Sequence, residues 1–313
     1  MRATGSTRST LAIHPGALGD VLQAVPALRA LRAQGPLTFA GQSRFGELLR
    51  GLGLVDAALS FDGLGLSALF TREPLPGALV VRLSRFDRVV SWFGAREAIY
   101  RERLGATARD VAIASPVPGD ASHSPVWRHL LATIGTASPP DLAPLDLPAT
   151  WRQEAGRALG HLGVASGRPL LVIHPGAGAA WKRWPVEHLA HVIGRARREA
   201  GAQALIHQGP ADRDPAAQLA RVLAEPAPLL VEPDLALLAG VLGRSSAYLG
   251  GDSGVSHLAA AVGARAIILF PAATRERWTP WSPTAMALSS ENEPGRVLVA
   301  VSSALREAGS GRA

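Results

Sequence analysis

A chain of 313 residues with 47% hydrophobic and 18% charged side chains has the composition of a folded protein, with sequence enough for one large domain or two ordinary ones. It holds no cysteine, which excludes disulfides and thiolate metal sites and permits a reducing compartment. Its net charge of +7 favours acidic partners such as a phosphorylated glycolipid, an anionic membrane surface or nucleic acid, although an arginine-rich, alanine-rich composition also raises the charge without selection for a partner.

The opening residues 1–10 are polar and lead into a segment interrupted by His14, Pro15 and Asp20, a pattern of neither signal peptide nor membrane span. Residues 11–20, LAIHPGALGD, and 171–180, LVIHPGAGAA, share the string Ile-His-Pro-Gly-Ala. Each is a short apolar run ending in a glycine turn before a helical pattern, so the chain reads as two βα domains. The first helix is expected over residues 21–32, kinked at Pro26, with Val21, Leu22, Val25, Leu28 and Leu31 on one face. Buried strands are expected at 78–83, 202–207, 228–231, 247–250 and 264–270, with helices at 215–224, 235–242 and 297–308 between and after them. A second-half helix starts with Pro185 in its first turn. This alternation predicts α/β architecture with mostly parallel sheets covered on both faces. The proline-rich stretch 137–148 lacks periodicity and marks the linker, giving domains 1–148 and 149–313, the terminal helix returning to pack on the first and the tail 309–313 frayed.

Of the 32 Lys and Arg residues a single one, Lys182, is lysine, and it closes the glycine-rich turn containing Gly176 and Gly178. A rotatable ammonium after a glycine loop is a common way to hold phosphate, where arginine would offer a planar fork. Further on, the strand 247–250 delivers Asp252, Ser253, Gly254 and Val255 to the carboxyl edge of its sheet, where a helix begins and closes at Gly263. Free amides at such a start attract phosphate. Asp252 either accepts hydrogen bonds from sugar hydroxyls or, with Ser253, caps the helix. His257, one turn in, either points at the phosphate or packs beneath the loop. In the first half the turn Gly16-Ala-Leu-Gly19-Asp20 places a carboxylate at the same kind of sheet edge, where Asp20 serves as a general base or as a helix cap. Asp212-Arg-Asp214 has the spacing of a metal-binding D-x-D, but Pro215 and alanines follow it as in a helix start. Asp212 is the candidate nucleotide contact.

Four segments in order, Gly16 to Asp20 with the PALRAL run from Pro26, His174-Pro-Gly-Ala-Gly with Lys182-Arg-Trp-Pro185, Gly209-Pro-Ala-Asp-Arg213, and Gly251-Asp-Ser-Gly-Val-Ser-His-Leu, resemble the family 9 glycosyltransferases, the ADP-heptose:lipopolysaccharide heptosyltransferases. The resemblance spans residues 11 to about 280. It implies a GT-B fold, two Rossmann-like domains around a cleft, and inverting transfer of a heptose or related sugar from a nucleotide diphosphate without a metal or cofactor. It implies Asp20 as base, with Gly16 and Gly19 on the acceptor side. It also implies that Lys182 and the amides after Asp252 contact the donor phosphates, with Asp252 near the sugar. The implied partners are a nucleotide-sugar donor and an acidic glycolipid or glycan acceptor, not nucleic acid. The implied location is the cytoplasm, with peripheral contact at the inner membrane. Arg275, Arg277, Trp278 and Trp281 are candidates for contacting an acidic acceptor or simply the last loop. The sequence departs from the family at His14-Pro15, at Ala177, Ala179 and Ala180 where some relatives carry hydroxyls, and at 270–274, which lacks a glycine; 44–148 carries little of the resemblance.

Other classes fit less well. A nucleoside triphosphatase loop needs Gly before the lysine and Ser or Thr after it, whereas Trp181 and Arg183 stand there. A dinucleotide oxidoreductase needs a small residue where the loop ends in Trp181. A nucleotide-sugar binding protein that keeps the site without turnover is the remaining alternative, and a retained Asp20 argues against it.

Overall fold

The computed structural model describes residues 8–120 and 122–310, so the polar residues 1–7 and the tail end 311–313 lie outside the described residues. The chain divides into two compact units, the first ending at Asp141 and the second beginning at Leu142. Among the described residues no helix is long and apolar enough to cross a membrane.

The first unit runs β1 (Thr10–Ile13), α1 (Leu18–Gln23), α2 (Val25–Arg32), β2 (Leu37–Gly41), α3 (Ser43–Gly51), β3 (Ala57–Ser60), α4 (Gly77–Leu83), β4 (Arg88–Ser91), α5 (Ala98–Thr107), β5 (Asp110–Ile113) and α6 (Val126–Thr133). Its sheet has the order β3-β2-β1-β4-β5 with every pair parallel. Every residue of the central strands β1 and β4 is buried, including Arg88 and Ser91 at the two ends of β4. Instead of one kinked helix, two helices meet at Ala24, and Pro26 sits in the first turn of α2, where its missing N–H costs no hydrogen bond.

The strand expected at 78–83 is the helix α4. Pro76 precedes its first turn, Leu79 and Leu83 are buried four residues apart, and Val81 between them is 55% exposed. A short apolar run reads equally as buried strand or half-buried helix, and burial at this spacing decides for the helix. The strand of this βα unit is β4, whose buried Arg88 disguised it. Arg88 donates to the Ile134 carbonyl at 2.7 Å and pairs with Asp110 at 3.4 Å, so its charge is compensated under the sheet edge.

The second unit runs α7 (Ala149–His161), β6 (Leu170–His174), α8 (Val186–Ala200), β7 (Gln203–Gln208), α9 (Arg213–Val222), β8 (Leu229–Val231), α10 (Leu235–Arg244), β9 (Ala247–Gly251), α11 (Gly254–Ala261), β10 (Ala266–Phe270), α12 (Arg275–Trp278), β11 (Ala285–Ser289) and α13 (Pro294–Ser310). Its sheet has the order β11-β10-β9-β6-β7-β8, again all parallel. The strands and helices expected here form within a few residues of their expected bounds. The terminal helix α13 packs on α8, β9 and β10, with Val297, Val301 and Leu305 in the core of this unit. The proline-rich stretch is docked at its end: Leu145 donates its N–H to the Ala261 carbonyl at 2.8 Å, and Leu145 and Leu147 are buried.

Candidate functional site

In an open parallel sheet, the loops on either side of the point where strand order reverses diverge and leave a crevice at the carboxyl edge. In the second unit that point lies between β6 and β9. The loop after β6 carries Lys182 and the loop after β9 carries Asp252, and their side chains meet there: Lys182 Nζ donates to Asp252 Oδ2 at 2.7 Å. Asp252 is only 8% exposed while Lys182 keeps 24%, so the ammonium is the more accessible half of the pair. The chain through Lys182 is held by a short 3-10 turn, Ala180–Lys182, and by Pro185 at the start of α8. Trp184 between them is buried, whereas Trp181 is 66% exposed with Lys182 Nζ lying 5.4 Å from its ring centre.

Asp252 does not cap α11. Ser253 does, its Oγ accepting the Ser256 N–H at 3.3 Å, and Ser256 Oγ meets Tyr248 OH at 2.8 Å beneath. The N–H groups of Gly254 and Val255 open the helix and lack intrahelical acceptors by position. His257 packs under this loop between Phe270 and Trp278, its Nε2 4.0 Å from Asp252 Oδ1. Burial pushes its pKa down to about 4 despite Asp252, with Lys182 adding to the fall, so the ring is neutral at physiological pH. The group presented at this edge is therefore one lysine, one carboxylate and a helix start.

Beside it, Gly176 belongs to a second cluster. A methyl group there would overlap the carboxylate of Asp212, which also accepts the Gly209 N–H at 3.1 Å. Asp212 is buried and lies 3.8 Å from His174 Nε2, and His174 and His207 share a hydrogen bond between Nδ1 atoms 3.1 Å apart. Burial lowers the pKa of His174 in spite of Asp212, and burial with His174 alongside lowers that of His207 to about 3. Asp212 thus ties the loop after β6 to the loop after β7. Of the D-x-D pair Asp212 is buried and Asp214 is exposed on α9, and among the described residues no group of three or more His, Cys, Asp or Glu is arranged to hold a metal. Gly178 is exposed and unconstrained by neighbours.

The first unit has its reversal point between β1 and β4. The turn after β1 carries Asp20 in the first turn of α1, where its Oδ2 accepts the Ala17 N–H at 2.9 Å while the side chain remains half-exposed. Gly16 is wedged between His14 and Asp20: a Cβ there would come within 2.7 Å of His14 Cε1 and 2.9 Å of Asp20 Cβ. His14 Nδ1 accepts the Gly16 N–H at 3.2 Å, and the ring lies 5.8 Å from that of Trp92, just after β4. Burial lowers the His14 pKa to about 4, keeping Nδ1 an acceptor. Gly19 lies in α1 beside Asp20. Each unit therefore carries a reactive-type side chain at its reversal point: a carboxylate in the first, an ammonium–carboxylate pair with a helix start in the second. In α12, Arg275 is exposed and Trp278 half-buried, while Trp281 beyond it is buried.

The sequence reading missed the His174–His207 pair and the exposure of Trp181. Only the recurrence of histidine where β1 and β6 give way to their turns hinted at the first.

A profile of glycosyltransferase family 9 (heptosyltransferase) matches residues 52–305. Lipopolysaccharide heptosyltransferase 3 of Escherichia coli is 32% identical over 144 residues, 43% of this chain and 40% of that protein, so the match spans well under half of the relative. Among solved structures, the glycosyl transferase family 9 protein of Veillonella parvula superposes with a TM-score of 0.79 at 15% identity, covering 97% of this chain and 98% of its own. The E. coli ADP-heptose lps heptosyltransferase II gives 0.74 at 18%, covering 96% and 99%. The iron-containing dodecameric glycosyltransferase TibC of enterotoxigenic E. coli gives 0.54 at 13%, covering 92% and 65%. These structures share the fold of this chain, the two-unit GT-B architecture.

Proposed function

The chain belongs to glycosyltransferase family 9, and we propose that it transfers a heptose or closely related sugar, with inversion, from a nucleotide diphosphate donor such as ADP-heptose to a lipopolysaccharide core or another bacterial glycan. The observation that carries this reading is the meeting of Lys182 and Asp252 beside the start of α11 at the reversal point of the second sheet.

Breaking a glycosidic bond to a diphosphate leaves negative charge on the departing phosphate. A preorganised ammonium and two unsatisfied amides meet that charge as it grows, which stabilises the transition state more than the ground state. In the free protein Asp252 neutralises Lys182; with donor bound, the ammonium turns to phosphate and the carboxylate accepts from sugar hydroxyls. Gly176, which leaves space for the Asp212 carboxylate, lets the loop backbone approach the donor, and Asp212 supports the nucleotide side from beside that loop. Asp20 removes the proton from the attacking acceptor hydroxyl, which then attacks the anomeric carbon opposite the leaving diphosphate. The charge of the leaving group is met by protein groups alone, so transfer proceeds without a metal or cofactor. A lipid-linked acceptor puts the enzyme in the cytoplasm with peripheral contact at the inner membrane.

Incubation of the protein with ADP-heptose and a heptose-deficient lipopolysaccharide acceptor in EDTA tests the reading. Inverted product and stoichiometric ADP are expected. ADP binding with no transfer to any core acceptor would leave a binding protein, and dependence on added metal would remove the metal-free mechanism.

A further inference from the structure

Six of the seven tryptophans are wholly or largely packed: Trp92, Trp127, Trp184 and Trp281 are buried, and Trp151 and Trp278 half-buried. Trp181 is 66% exposed. A lone exposed apolar side chain is ordinary on a protein surface, but this one is neither on a mobile tip nor remote from the chemistry. Its backbone lies in the 3-10 turn in which the Lys182 N–H bonds the Ala179 carbonyl at 3.1 Å and the Arg183 N–H bonds the Ala180 carbonyl at 3.1 Å. Its neighbour Trp184 is buried and anchors the segment. One ring face lies 5.4 Å from the ammonium of Lys182, which is itself pinned by Asp252. The indole is therefore oriented by a cation–π contact into the donor-binding group, with much of its surface left to solvent.

We infer that Trp181 is a stacking platform for a saccharide ring of the acceptor. The inference deepens the transferase reading and rests on it. A large flat apolar surface held open beside a polar site matches the face of a sugar ring, whose axial C–H groups form an apolar patch framed by hydroxyls; the contact removes water from both faces without leaving a polar group unpaired. The side of the indole assigns the ring to the second substrate. The ammonium that grips the donor diphosphate occupies one face, so a group on the opposite face is separated from the donor phosphate by the indole itself. Ala179 and Ala180 just before it are small and not buried, so no bulky side chain from this segment covers the indole.

The test uses calorimetry on the whole chain and two variants, Trp181→Ala and Trp181→Phe, with two probes: ADP alone, and core oligosaccharide released from heptose-deficient lipopolysaccharide, titrated in the presence of ADP. The expected result is that Trp181→Ala binds the oligosaccharide about three- to tenfold more weakly, the size of losing one aromatic stack, while Trp181→Phe recovers part of it and ADP affinity stays within about twofold in all three. Equal oligosaccharide affinity in the parent and Trp181→Ala overturns the inference. So does a parallel fall in ADP affinity, which would put the nucleotide base on the ring, or failure of the parent protein to bind the oligosaccharide. Turnover is read separately: oligosaccharide binding that depends on Trp181 without sugar transfer would sink the transferase reading and leave the platform standing.

Discussion

The chain passes from β1 and from β6 into the following turn through the same five residues, and the two turns solve the same steric problem in opposite ways. In both, a buried histidine lies at the carboxyl edge of the sheet and the glycine two residues later is pressed by a carboxylate. In the first turn the carboxylate is local: Asp20 belongs to the helix that the turn opens, satisfies one orphan amide, and remains half-exposed. In the second it is imported from the next βα loop as Asp212, buried and shared between Gly209 and His174. A carboxylate within its own helix start stays at the partly exposed edge of its sheet. One locked between two loops serves to fix the backbone, and the exposed position at the edge passes to Lys182.

The largest effect is expected at the local carboxylate. Asp20→Ala should lower kcat by about a thousandfold or more, within the range for losing a general base, with ADP affinity unchanged in calorimetry. Ordinary turnover would reduce Asp20 to a helix-start residue and erase the contrast. Next, Lys182→Ala should weaken ADP binding by about 10- to 100-fold and Lys182→Arg by less, since a fork cannot follow a point charge exactly where Asp252 also competes. Unchanged ADP affinity in both would remove the phosphate role.

Smaller effects test the imported carboxylate. Gly176→Ala should cost about 1–3 kcal/mol of stability through overlap with Asp212, and Asp212→Ala in the same chain should relieve part of that cost. Additive losses in chemical denaturation would mean the two residues do not act on each other. The smallest effect is pH dependence. His14 in the first unit, and His174, His207 and His257 in the second, all have pKa values lowered by burial. An unfolded histidine takes up its proton near pH 6.5, so the stability from keeping these rings neutral is complete above that pH. It declines as pH falls toward about 4, by up to roughly 1.4 kcal/mol per pH unit for each ring. Scanning calorimetry should show the second unit, with three such rings, losing more than the first as pH drops from 7 to 5; equal losses would contradict this.

Much of the second unit could be read from its sequence because its strands are apolar runs bounded by glycine or proline, and β7, β9 and β10 form close to their expected bounds. The first unit was harder to read. Arg88 opens β4, β3 is only half-buried, and the most apolar run there, 78–83, is a helix. Lys182 and Asp252 were legible as members of one site since each ends a glycine-rich turn after a strand, and adjacent central strands bring such turns together. The His174–His207 bond was not, because it depends on which strand lies beside β6, information that no local pattern carries. Nor was the orientation of Trp181, since an indole next to a buried one in sequence gives no sign of which is turned outward.

The pairing of Lys182 with Asp252 also makes the chain a self-labelling reporter. Its only side-chain amine sits at the site, partly accessible and hydrogen-bonded to the Asp252 carboxylate. Amine-selective reagents would modify a single internal position, and the rate at which that mass increment appears would read out occupancy by phosphate-bearing ligands directly, without a radiolabel or a coupled assay.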